Sequence, residues 1–142
     1  MIRHHIPGVS GWDLIAPLLA EMPAEMAEEL ENGESPIENM FATALSLVLL
    51  TVPEPIRPRL RMQVPIDRYR ADIVVAGPFG GPRVVFECDG AEFHKDKAKD
   101  AKRAAVIQKH GYRVVRISGS EINHNPLGYA RVMLREVGLV RG

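Results

Sequence analysis

Residues 84–90, Val-Val-Phe-Glu-Cys-Asp-Gly, end an apolar run in two carboxylates one residue apart. His94, Lys95 and Lys97 follow within eight residues of Asp89. Val84, Val85 and Phe86 leave no polar face, so Arg83 to Cys88 reads as a strand covered on both sides, inside a sheet. Glu87 and Asp89 are two residues apart and share one face of that strand. Acids at the end of an interior strand repel each other, and the surrounding sequence must account for them.

Upstream, the apolar period is strand-like. Leu60, Met62, Val64 and Ile66 alternate with Arg61, Gln63 and Pro65, which predicts a half-buried strand. Asp67-Arg68 reads as a tight turn and Tyr69 to Val75 as a second strand. Residues 77–82 form a Gly/Pro loop before the third strand. Downstream, Asp96 to His110 reads as a helix stopped by Gly111, and Tyr112 to Ile117 as a fourth strand reached by that crossover helix.

Before the strands the period is helical. Ser35-Pro36-Ile37-Glu38 places a serine N-cap, a proline at the first helical position and a glutamate at the third. This helix is expected to run to about Leu50, followed by a stiff connection through Pro53, Pro55 and Pro58. Trp12 to Leu30 reads as an earlier helix broken at Pro23, with Leu14, Leu18 and Leu19 on one side. Short helices starting at Ser118 or Ser120 and at Asn125-Pro126 reach about Val137.

The chain of 142 residues is long enough for one ordinary domain, and 46% hydrophobic with 25% charged residues is a globular composition. No apolar run has the length of a membrane span, and the N-terminus does not read as a signal peptide. One cysteine, Cys88, excludes an internal disulfide and fits a reducing, cytoplasmic setting. Net charge is zero, which by itself argues against a nucleic-acid binder. The charges are segregated, however: six glutamates lie between Glu21 and Glu34, while arginines and lysines crowd 57–70 and 95–103.

If the second and third strands pair as a hairpin, Asp72 comes beside Glu87, with Asp89 on the same face and Glu38 approaching from the capped helix. Closely packed carboxylates need a counter-charge to stay ionised. A divalent cation supplies one, and an all-oxygen ligand set favours Mg²⁺ or Mn²⁺ over zinc. The alternative is an exposed strand end or an ion pair with Arg70 or Lys95, with Glu38 serving only as a cap. Cys88, flanked by acids, is disfavoured as a thiolate nucleophile.

These pieces together resemble the PD-(D/E)XK nuclease superfamily, in the branch of small proteins related to the very short patch repair (Vsr-like) endonuclease. Ser35 to Glu38 resembles that branch's first-helix motif. Gln63 to Val75 resembles its first two strands, with Asp72 as the motif aspartate and Ala71 in place of the usual proline. Val84 to Gly90 resembles the third-strand motif, and Asp100 to Ile122 the helix and strand that follow. The superfamily name implies a lysine two residues after the strand acid; Asp89 stands there.

The resemblance implies an α/β, restriction-endonuclease-like three-layer core with a central mixed sheet of about four strands, α-βββ-α-β, plus an extra N-terminal helix. The chain reads as one domain, with a nuclease core over 35–122 covered by the resemblance, and a helical extension over 1–34 and a C-terminal helix over 123–142 outside it. The implied activity is Mg²⁺-dependent (or Mn²⁺-dependent) hydrolysis of DNA phosphodiesters. Asp72, Glu87, Asp89 and the Cys88 backbone carbonyl would be metal ligands. His94, with Lys97 in reserve, would be the base, and Glu38 would hold a water. Arg103, Arg116, Lys95 and Arg70 would meet DNA; Arg103 alternatively pairs with Asp100, and Arg116 alternatively balances a carboxylate. Two competing readings are a binding or interaction module without turnover, and a regulatory or structural protein that forms a homodimer through its N-terminal helix.

Overall fold

The computed structural model describes residues 11–89 and 97–141. Four strands form one sheet in the order β1-β2-β3-β4: Arg59–Ile66, Tyr69–Ala76, Arg83–Asp89 and Arg113–Ser118. The first three are antiparallel neighbours, and β4 lies parallel to β3. A parallel partner requires a crossover, and α4 (Lys97–Lys109) supplies it. With β3 second from one edge, Val84, Val85 and Phe86 are all buried, as their unbroken apolarity requires.

Helices cover both faces. On one side α1 (Gly11–Ile15), α2 (Ala24–Leu30), α3 (Pro36–Leu49), α5 (Gly119–His124) and α6 (Pro126–Glu136) enclose the larger core. Phe41 of α3 sits edge-on to Phe86, ring centres 5.5 Å apart, and against Tyr129 of α6 at 5.7 Å. On the other side α4 buries Ile107 over Ile66, Ala71, Val74 and Val85. The molecule is therefore an α/β fold with a four-stranded mixed sheet between helical layers, consistent with a restriction-endonuclease-like core. None of the described helices is long and apolar enough to cross a membrane.

Two expectations are corrected. Residues 12–30 are not one helix interrupted at Pro23. α1 stops at Ile15, Ala16–Glu21 is a 3₁₀ turn and α2 follows. Pro17, at the start of the 3₁₀ turn, lacks the N–H that an α-helix would give to Asp13. Leu14 and Leu18 are consequently exposed, and Ile15, Trp12 and Leu30 do the packing.

The alternation in β1 also breaks. Leu60 and Met62 pack into the larger core, whereas Val64 and Ile66 pack on the α4 side. In β2, Ala71 belongs to the α4 side and Ile73 to the other. Residues two apart on a regular strand share a face. The exchange occurs where the paired residues skip from Met62–Ile73 to Val64–Ala71, leaving Gln63 opposite Asp72. Gln63 has φ of 55°, a left-handed conformation uncommon for a residue with a side chain.

α3 begins as its sequence dictates. Ser35 Oγ accepts from the Glu38 N–H at 3.2 Å, and Pro36 fills the first helical position. Ser35→Ala should lower unfolding free energy by about 1 kcal/mol in urea titrations. An unchanged midpoint would show that this cap does not hold the helix start.

Candidate active site

The two strand acids stand on neighbouring strands. Ile73 pairs with Phe86, so the next position of that register sets Asp72 opposite Glu87. Glu87 is carried on an interior strand and only 8% exposed. One of its oxygens, Oε1, forms an ion pair with Arg103 Nη1. The other, Oε2, is buried without a hydrogen-bond partner among the described residues. A carboxylate oxygen buried without a partner costs free energy and calls for an explanation.

Arg103 reaches the site from α4. Its Nη2 donates to the Arg70 carbonyl at 2.7 Å, and the guanidinium lies 5.7 Å from the centre of the Tyr69 ring. Burial lowers its pKa; the Asp72 carboxylate opposes that shift and the nearby Arg116 charge adds to it. For Asp72, burial raises the pKa while Arg103 pulls it down. The cation that the acids require is thus present as a guanidinium.

Glu38, in the first turn of α3, is 5% exposed. Its Oε1 accepts from Gln63 Nε2 at 2.5 Å and from the Glu34 N–H at 3.3 Å. Burial, reinforced by the Asp72 charge, raises its pKa to about 7, although those two hydrogen bonds pull the other way. This carboxyl therefore holds its proton far more readily near neutral pH than an exposed glutamate does. Burial likewise pushes the Cys88 thiol far up, with Glu38 and Asp72 contributing, so Cys88 is no thiolate.

The remaining residues named from sequence divide. Arg70 is turned to Glu34, 2.8 Å away and exposed, although its backbone carbonyl is held by Arg103. Arg116, paired in register with Glu87, lies 3.6 Å from Asp100. Arg103 is therefore on Glu87, and the carboxylate of Asp100 goes to Arg116 instead. Lys97 opens α4 and is exposed. Asp89 ends β3, but its side chain, with His94 and Lys95, lies outside the described residues. Gln63 is the residue that sequence reasoning passed over. It binds Glu38, opposes Asp72, and its Oε1 is a second buried atom without a partner. Its polarity inside a strand was visible, but its left-handed backbone was not.

Among the described residues, no three His, Cys, Asp or Glu side chains form a metal-binding group. Asp72 and Glu87 do occupy opposed positions on neighbouring strands, and Glu87 has one unpartnered oxygen. Carboxylate oxygens are the kind of donor that hard cations take.

The family model REase_MTES_1575, of a restriction-endonuclease-like family, matches residues 57–136, from just before β1 to the end of α6. That is more than half of the chain, and the chain belongs to this family. The match includes Asp72, Glu87, Arg103 and Arg116 and leaves Glu38 outside. Comparison with curated proteins and with solved structures gives no match.

A glutamate whose pKa is about 7 when folded, against an ordinary 4.5, favours the fold most when protonated. Its contribution is fully present below pH 4.5 and is lost as pH rises through 7, a difference of about 3 kcal/mol. Glu38→Gln keeps an acceptor for Gln63 and never ionises. In EDTA-treated protein it should match wild-type stability near pH 4.5 and exceed it by about 2–3 kcal/mol at pH 8. Parallel stability–pH curves for the two proteins would refute the raised pKa.

Proposed function

We propose that this member of the restriction-endonuclease-like family hydrolyses DNA phosphodiester bonds with Mg²⁺ or Mn²⁺ held at Asp72 and Glu87. The observation that carries the reading is the buried, unpartnered Oε2 of Glu87 beside Asp72. The Cys88 backbone carbonyl and Asp89, at the end of the same strand, complete the proposed ligand set. The likeness to the very short patch repair branch belongs to this reading and supports it.

When bound, such a cation polarises the scissile phosphate and acidifies a water. The chain's own groups do the rest. Arg103 and Arg116 offer planar guanidiniums suited to phosphate oxygens, with Arg70 and Lys95 as further phosphate contacts. Glu38, poised near neutrality, can take up or release a proton at the site, the property that general acid–base work requires. Gln63 holds Glu38 by its amide and turns its own free oxygen to the same neighbourhood. His94 is the proposed base for the attacking water, with Lys97 in reserve.

One observation favours a second reading, a module that binds without turnover. Arg103 already neutralises Glu87, so the buried acid is not left without a counter-charge when no metal is bound. A plasmid assay separates the two. Wild-type protein should nick or linearise DNA in Mg²⁺ or Mn²⁺ and stop in EDTA, and Glu87→Gln should reduce cleavage to background with the fold retained. Absence of metal-dependent cleavage on supercoiled, linear, mismatched and single-stranded DNA would transfer the site to the second reading. Cleavage that survives Glu87→Gln would mean that the essential acid lies elsewhere.

A further inference from the structure

We propose that Arg103 gates the cation site: without metal its guanidinium supplies the positive charge at Glu87, and it moves to a DNA phosphate as the ion enters. This gating rests on the metal-dependent reading above and adds an order of events and a coupling between ion and DNA.

The guanidinium is held at two points, Oε1 of Glu87 and the carbonyl of Arg70. Neither point is a sealed pocket. The Arg103 side chain is 24% exposed, against 10% for Glu87, so the arginine has a way to solvent that the acid lacks. A metal on Oε2 of Glu87 would place a double positive charge on the carboxylate that Arg103 already occupies. Two cations sharing one carboxylate repel each other, and each weakens the other's hold. Arg116 adds a repulsion that Arg103 already bears. A released guanidinium on a long stem next to the acids is well suited to bind phosphate bidentately. Coupling is reciprocal, so an ion that frees Arg103 strengthens DNA binding, and DNA that captures Arg103 strengthens ion binding.

Arg103→Met retains an unbranched apolar stem and removes the charge. Calorimetric titration of Mn²⁺ into protein without DNA should show binding about tenfold tighter than wild type, within the range of coupled sites. DNA cleavage should fall at the same time, because the phosphate contact is lost. Melting curves would establish that the variant is folded. If it is not, Arg103→Gln carries the same comparison, since it too removes the charge while its amide can still donate to a carbonyl. Wild-type protein that takes up Mn²⁺ alongside a folded variant that binds it no tighter would overturn the gate and leave the nuclease reading standing. Failure of both proteins to take up Mn²⁺ would overturn the gate and the nuclease reading together.

Discussion

Burying the Glu87 carboxylate beside Asp72 is the constraint around which the other elements are arranged. Neighbouring carboxylates disfavour each other's ionisation, and burial costs each its hydration as well. The sheet imposes this cost because Val84 to Phe86 must lie in its interior, and Glu87 follows them there. A cation must meet the acid, and Arg103 does so from α4. That need bears on how α4 is attached. The helix buries only Ile107, its alanines and Val106 being exposed or half-buried, so apolar packing holds it thinly. Polar ties act along its length: Asp100 to Arg116, Arg103 to Glu87 and the Arg70 carbonyl, and His110 to Asp67 at 3.2 Å. The exposed ties are worth little singly, and the half-buried one at Glu87 differs because breaking it strands a buried charge.

Gln63 and Glu38 show a second cost concentrated in the same place. A residue with a side chain held at positive φ inside a strand costs about 1–3 kcal/mol and persists only where its surroundings enforce it. Here β1 and β2 exchange faces at Gln63 and Asp72, so the distortion coincides with the aspartate proposed to hold metal. Glu38 adds a carboxyl whose ionisation the fold opposes. Three unfavourable features meet in one small region: left-handed backbone, a neutralised acid and buried oxygens without partners. Each runs against stability, and their coincidence argues that the region serves chemistry.

The parts of this arrangement legible in the sequence are those governed by neighbours along the chain. Ser35, Pro36 and Glu38 make a helix start by contacts three residues long, so their spacing was sufficient. The apolar run at 84–86 declared an interior strand, and Gly111 and the following strand declared a crossover. Strand pairing then set Asp72 against Glu87 with no further information. What escaped depends on contacts between distant segments. The alternation at Leu60, Met62, Val64 and Ile66 is regular on paper, and only pairing against β2 reveals that it switches faces. Arg103 and Asp100 lie three apart on one helix, which suits a local pair. The sheet instead offers each a partner, Glu87 and Arg116. Pro17 was a local signal, and the apolar spacing around it masked what it did to the helix.

The position two residues after Glu87 bears on where the positive charge of the site comes from. The PD-(D/E)XK pattern of the proposed reading names a lysine two residues after the strand glutamate, a position where the repair-related branch commonly carries aspartate. Asp89 stands at that position of this sequence. With no lysine there, the positive charge at Glu87 comes from another element. Arg116 comes from β4, in register with Glu87 and near Asp100; Arg103 comes from α4 and contacts Glu87 itself. Arg103 meets Glu87 at the end of a long side chain that is 24% exposed, so its charge is not sealed at the site. In the proposed gate, that displaceable charge makes the charge state of the site responsive to what else binds there.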